Sequence, residues 1–271
     1  MTDLVYQSGF GNEFESEALA GALPIAQFSP QQVPYGLYAE KFSNTAFTAP
    51  RENNRRTWFY RIRPSVVHSV YAAVEHETWS TAPLTGPAVE PQPLRWDPLP
   101  APTPALDFVD SLTTIAVNGD VSRQLGIGIH HYCVGRAMAQ RCLLNADGEL
   151  VLVPFSGGLR VRTECGVLEL QPGEIAVIPR GMKFAVDAQD PSAPARGFVA
   201  ENYGHALRLP ERGLVGSDGF ANTRDFLTPI ADFIDQDETH QLLCRYQGQL
   251  FHADIEYNPF DVVAWAGNAV P

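Results

Sequence analysis

The sequence has no apolar stretch long enough to span a bilayer. Its opening, MTDLVYQSGFGNEFE, has neither a basic region nor an apolar core of the kind a secretory leader needs. A cytoplasmic location and no membrane partner are therefore expected. Positive charge is scarce: 19 Lys and Arg stand against 31 Asp and Glu, and a formal net charge of -12 repels polyanions and argues against a nucleic-acid partner. Cysteine is sparse and unpatterned. Cys133, Cys142, Cys165 and Cys244 form no CxxC pair, so no zinc or thioredoxin-like motif is readable and buried, reduced thiols are expected. Sustained helical periodicity is also missing. In its place stand 22 glycines and 22 prolines, with 45% hydrophobic residues over 271 positions. That is material for one large or two modest domains built from turns and short extended segments.

Residues 147–187, DGELVLVPFSGGLRVRTECGVLELQPGEIAVIPRGMKFAVD, carry the clearest pattern. Apolar residues alternate in Leu150, Leu152 and in Leu159, Val161. Gly157-Gly158, Cys165-Gly166 and Pro172-Gly173 interrupt the run at intervals typical of hairpins. Within it, Gly173, Pro179 and Gly181 stand at the spacing Gly-x5-Pro-x-Gly. This resembles the second signature of the cupin superfamily, Gly-x5-Pro-x-Gly-x2-His, whose final His enters the barrel as a metal ligand. Here that position is Phe184, which cannot bind a metal. The resemblance implies an all-β fold, a cupin-like (RmlC-like jelly-roll) barrel with few short helices, without a metal centre at its usual place.

Residues 1–110 read as an extended, aromatic-rich N-terminal arm with strands that pack on the barrel, and residues 111–271 as the barrel core and the strands that follow it. In the arm, Tyr6, Phe10, Phe14, Phe28, Tyr35, Tyr38, Phe42 and Phe47 are expected to anchor it against its own body or a neighbour's. One helical turn is expected over 13–19. Residues 53–63, NNRRTWFYRIR, read as a strand. In an acidic chain, Arg55, Arg56, Arg61 and Arg63 are expected to form internal salt bridges rather than an anion patch. Residues 81–105 are proline-rich and extended, with Leu94, Trp96 and Leu99 favouring a wrap over the surface. Asn118-Gly119 signals a hairpin turn. Further strands are expected over 196–203, 246–251 and 260–265, with a glycine-rich loop over 210–230.

Catalytic patterns are thin. A non-haem iron site needs two His and a carboxylate on one side of the metal. His130 and His131 are adjacent, so on a strand they point to opposite faces and only one can enter a barrel. No HxH pair is present. Gly126-Ile127-Gly128 lacks the third glycine of a dinucleotide loop, and Ser156-Gly157-Gly158 lacks a nucleophile elbow. Asp235 and Asp237 read as a solvated pair without a role. No catalytic, cofactor-binding or metal residue is assigned.

Longer segments carry a closer resemblance. YQSGFGNEFESEA from Tyr6, SPQQVPYGLYAEKFSNTAFTAPR from Ser29, NRRTWFYRIRPSVVH from Asn54, LRWDPLP from Leu94, LVPFSGGLRVRTECGVLELQPGEIAVIPRGMKF from Leu152 and GFANTRDFLTPIA from Gly219 resemble, in order, the amino-terminal part of the homogentisate 1,2-dioxygenases. YQGQLF and NPFDVVAW continue the likeness towards the end. The resemblance implies a protein of tyrosine and phenylalanine catabolism, Fe(II) as cofactor, homogentisate and O2 as substrates, and ring opening to maleylacetoacetate. It also implies homo-oligomers, trimers paired into hexamers. In that family the iron ligands, two His and one Glu, lie in a carboxyl-terminal catalytic domain. Here Trp265 is followed by Ala266-Gly267-Asn268 where family members have His-Gly-Asn, and the sequence closes at Pro271. No iron ligand has a matching position. The expectation is an amino-terminal domain, truncated or encoded separately, that is inactive alone, with a separate carboxyl-terminal half as one candidate partner. The alternatives are a non-catalytic cupin-like scaffold or small-aromatic-acid binding module, and, more remotely, a relocated metal site using His130 or His131.

Overall fold

A computed structural model describes residues 4–9, 13–25, 33–84, 91–93, 95, 97–101, 105–210, 213 and 221–271. Phe10 and Phe28 of the expected anchors, Leu94 and Trp96 of the proline-rich run, and most of the first half of the glycine-rich loop lie outside these residues. The architecture is all-β. Helical structure among the described residues is limited to 3-10 turns such as Val121–Arg123 and Thr223–Asp225. None of it is a helix long and apolar enough to cross a membrane.

Two sheets form the body. One has five strands in the order Ala176–Ile178, Glu149–Ser156, Ala195–Asn202, Leu125–Val134, Thr113–Asp120. The other has seven: Gly166–Leu170, Leu159–Thr163, Lys183–Ala188, Arg141–Asn145, His240–Tyr246, Gln249–Ile255, Ala72–Val74. Their facing side chains, including Leu152, Tyr132 and Val199 on one side and Val161, Leu168 and Val186 on the other, belong to one buried cluster. Burying each such side chain contributes roughly 1.5–3 kcal/mol. The sheets face each other as a cupin-like jelly roll and do not close into a barrel. Each keeps two edge strands, and no strand among the described residues bonds one sheet to the other.

This layering revises the expected hairpins. Only the turn at Glu164-Cys165 joins neighbours, pairing Thr163 with Gly166. Gly157-Gly158, Pro172-Gly173 and Pro179-Gly181 instead carry the chain from one sheet to the other, because successive jelly-roll strands alternate between layers. Asn118-Gly119 lies within a strand, and the hairpin turns just beyond that strand's end, through Val121–Arg123. Gly119 sits opposite Gly126, both at positive φ, and a Cβ on Gly126 would come within 1.9 Å of the Asn118 carbonyl oxygen. These glycines serve close backbone approach, not a turn. Residues 246–251 span a hairpin turn at Gln247-Gly248 rather than a strand, and its first arm, His240–Tyr246, had no clear sequence signal.

The N-terminal segment is more than an arm. Tyr6–Ser8 pairs with Leu227–Pro229. The expected helical turn at 13–19 is instead the strand Phe14–Glu17, recruited by the last strand of the chain. A four-stranded sheet runs Phe14–Glu17, Val262–Gly267, Arg56–Arg61, Tyr38–Ser43, so the last strand lies between two early ones. Of the aromatic anchors, Tyr6, Phe14 and Phe42 pack against the main core, and Phe42 stacks on Phe59 with centroids 5.5 Å apart. Tyr35, Tyr38 and Phe47 remain largely in solvent.

All four arginines of residues 53–63 pair internally, as their setting in an acidic chain predicts. Arg55 meets Glu149, Arg56 meets Glu13, and Arg63 meets both Asp235 and Asp237, which gives those two aspartates a structural role. Arg61 is buried at 1% exposure. Its guanidinium donates to Asp261 (2.8 Å), Glu164 (2.9 Å), Glu40 (3.3 Å) and the Pro259 carbonyl (3.2 Å). Lys183 approaches the same Glu164 carboxylate at 3.4 Å. Burial alone would lift the Glu164 pKa, but the Lys183 and Arg61 charges outweigh it and hold the group below its usual range. Its stabilising share is therefore present above the ordinary carboxylate pKa and is lost as pH falls through the lowered folded value.

Removing one partner of a buried ion cluster strands the rest. Arg61→Ala is expected to cost about 3–5 kcal/mol in urea unfolding at pH 7. Arg63→Ala, whose carboxylate partners are exposed, should cost about 1 kcal/mol or less. Equal losses would contradict this account.

Candidate functional site

The cupin signature turn sets Phe184 on the strand Lys183–Ala188, fully buried, opposite Leu143 on one neighbour and Thr163 on the other. Its ring meets Phe108 edge-on at 6.1 Å, and Phe108 in turn lies 5.6 Å from Tyr132. The place where a cupin ligand would enter is thus packed aromatic core.

Polar chemistry is buried elsewhere between the layers. His130, on Leu125–Val134, is fully buried, with Nδ1 3.0 Å from Thr114 Oγ1 and Nε2 3.1 Å from Glu201 Oε2. Asn145 Nδ2 donates to the other Glu201 oxygen at 2.6 Å. Asp147, which opened the strand-rich run in the sequence, accepts from the backbone N–H groups of Gln247 (2.7 Å) and Gly248 (2.8 Å) and so fixes that hairpin turn. Burial raises its pKa against the lowering effect of those N–H groups. Arg245, 2% exposed, lies over the Trp79 ring at 4.4 Å and donates to the Trp79 carbonyl at 3.0 Å. Burial lowers its pKa, partly offset by the Glu201 and Asp147 charges. Gly128 makes room for this cluster: a Cβ there would sit 2.7 Å from both His130 Nε2 and Tyr203 Oη. The Gly126-Ile127-Gly128 spacing therefore has a packing cause. His130 and Glu201 are both buried, and the Asn145–Glu201 hydrogen bond ties the seven-stranded sheet to the five-stranded one.

His131 points the other way, as adjacency on a strand requires. It lies on the outer face of the five-stranded sheet against Phe198 (5.9 Å) and Phe155 (6.1 Å). Burial, then the nearby Arg196 charge, lowers its pKa. The two histidines are thus separated by the sheet and share no metal. Glu201 was not legible as a partner of His130, because the pair lies 71 residues apart and only strand register brings it together. The one available signal was alternation, which places odd-numbered residues of Ala195–Asn202 inward.

A cleft of about 880 Å³ opens at the surface, with Arg51, Arg55, Arg180, His205, Arg208 and Asn268 in its wall. Arg55 donates to Glu149 at 3.1 Å and to the Leu207 carbonyl. Arg180, from the signature turn, donates to the carbonyls of Tyr203 (2.9 Å) and Gly204 (3.0 Å). These arginines tie the segment after strand Ala195–Asn202 to the body.

The facing layers, antiparallel except for the parallel pair Arg141–Asn145 with His240–Tyr246, and the signature turn define an all-β, cupin-like domain whose signature position is filled by apolar packing. The chain belongs to the homogentisate 1,2-dioxygenase N-terminal family, whose model matches residues 5–271. The homogentisate 1,2-dioxygenase of Pseudomonas fluorescens (strain Pf0-1) is 52% identical over 268 residues, which is 99% of this chain and 61% of that protein. The chain thus spans less than two thirds of that relative's length. Among solved structures, a cupin-2 domain protein from Shewanella frigidimarina is 22% identical, covering 34% of this chain and 79% of its own, with a TM-score of 0.28. Oxalate decarboxylase of Bacillus subtilis is 13% identical, covering 36% of this chain and 27% of its own, also with a TM-score of 0.28.

Fe(II), the metal implied by the family resemblance, does not fit the residues at the signature position. Phe184 offers no donor atom, its surroundings are aromatic and aliphatic, and no three His, Cys, Asp or Glu side chains among the described residues are grouped to hold an ion. Phe184→His should therefore bury an unpartnered imidazole, lower stability by about 2–4 kcal/mol in denaturant titration, and retain no iron by elemental analysis. Stoichiometric iron in that variant would overturn this reading of the interior.

Proposed function

We propose that this chain is the amino-terminal scaffold of a homogentisate 1,2-dioxygenase, inactive by itself, and that the ring opening of homogentisate by O2 to maleylacetoacetate takes place on a carboxyl-terminal part carried by a longer or separate polypeptide. The observation that carries the proposal is the 52% identity across 99% of the chain combined with an interior that offers iron no ligands at the cupin position. On this reading Fe(II), homogentisate and O2 belong to the assembled enzyme. The chain's own residues supply a rigid double-layered body, held by the His130–Glu201 and Arg61 clusters, on which an active half is built. Residues 1–110 and 111–271 then act as one supporting unit, since the last strand lies between Phe14–Glu17 and Arg56–Arg61. A cytoplasmic location and assembly into homo-oligomers accompany this role.

Oxygen uptake tests it. The purified chain, reconstituted anaerobically with Fe(II) and then given homogentisate and air, should consume no oxygen and retain no iron. Co-expression with the carboxyl-terminal part of the Pseudomonas relative should give homogentisate-dependent uptake. Uptake by the chain alone with stoichiometric iron would refute the proposal.

A further inference from the structure

The outer face of the five-stranded sheet is apolar where a solvated face would be polar. Register places Phe198 beside His131 and Val153, Ala200 beside Ile129 and Val151, and Val151 beside Val177. The inward residues of the same strands, Leu150, Leu152, Val199 and Ile178, are already buried in the core. Strands apolar on both faces belong to sheets covered on both faces. Here Phe155 is 50% exposed, Phe198 43% and Ile127 45%, with Leu125 (59%) and Ile175 (64%) at the margins. The Phe155 and Phe198 rings lie tilted against each other with centroids 5.4 Å apart, and strand register continues the apolar surface from Phe198 through Ala200 and Ile129. Among the described residues, Leu99 and Pro100 of the proline-rich segment, with Leu106 just after it, line a small pocket at the His131 and Cys133 end of this patch.

The geometry points to this face as the docking surface for the carboxyl-terminal part found in the longer relatives, an inference that rests on the scaffold reading above. Two observations select that occupant. The chain's match covers 61% of the Pseudomonas relative, so such proteins carry a further stretch of polypeptide. Asn268, near the end of the family match, lines the arginine cleft together with Gln124, Glu149 and Gly204, which mark one end of the five-stranded sheet. In a relative, the further polypeptide therefore starts beside the patch and needs no long connection to cover it. The chemistry required of it follows from what it meets. It needs an apolar surface for Phe198, Phe155 and Ile127, and carboxylates at one rim. Arg51 and Arg208 in the cleft have no carboxylate partner within 4 Å among the described residues.

The test is co-expression of the chain with the affinity-tagged carboxyl-terminal part of the Pseudomonas relative, with capture quantified. Phe198→Ser and Ile127→Glu on the face are compared with Val70→Glu, a 92% exposed position outside it. Thermal unfolding of each purified variant verifies that it is folded, and Phe155→Ser replaces either face variant that is not. The expected result is capture of wild type and Val70→Glu, with about tenfold or greater loss for the face variants, as for central interface residues. If the face variants are captured as well as wild type, this surface is not the dock, although the scaffold reading stands. That result, together with a smaller native mass for the face variants alone, would assign the patch to a second copy of the chain. If wild type itself is not captured, the scaffold reading fails and this inference fails with it.

Discussion

A buried guanidinium has to be answered by carboxylates, and Arg61 is answered by three. Its partners come from the strand Tyr38–Ser43, the hairpin turn at Glu164, and the segment that leads into the last strand. Meeting that one requirement fixes the four-stranded sheet against the seven-stranded sheet. Glu164 also holds Lys183, the first residue of the strand that carries Phe184, so the same charges that attach the N-terminal segment also set the position of the cupin signature strand. Burying such a cluster is costly, and its return is specificity of arrangement more than net stability.

The interior then divides its tasks. Apolar side chains fill the site where cupins place a metal, and the polar groups that are buried are spent on bracing. His130, Glu201, Asn145 and Asp147 link strands from both sheets to the Gln247-Gly248 turn, and Arg245 lies over Trp79. His130, Glu201, Asn145 and Asp147 each have a protein hydrogen-bond partner, whereas the buried Arg245 Nε and Trp79 Nε1 have none among the described residues.

How far the sequence revealed this depends on how far apart the cooperating residues are. The internal pairing of the arginines followed from charge balance, the filled ligand position from Phe184 itself, and the opposed directions of His130 and His131 from adjacency on a strand. The identities of the partners did not follow. Arg61 meets Asp261 across 200 residues and Glu164 across 103, and no local pattern encodes such distances. The strand Phe14–Glu17 was read as a helical turn because its extended form is imposed by Val262–Gly267. Asn118-Gly119 misled for a related reason. Glycine is needed there to let two backbones approach, and sequence alone does not separate that need from a turn.

The position of the last strand has a consequence during synthesis. Arg56–Arg61 can pair with Tyr38–Ser43 as soon as both have emerged, but its other edge waits for Val262–Gly267. At ribosomal elongation rates of about 5–20 residues per second, that interval is roughly 10–40 s. Throughout it an unpaired edge is open to wrong partners. The arginines at both ends of Arg56–Arg61 place positive charge on that edge, and charge on an open strand is a known deterrent to intermolecular pairing. The residues that lock the finished sheet thus also act as gatekeepers of the nascent one.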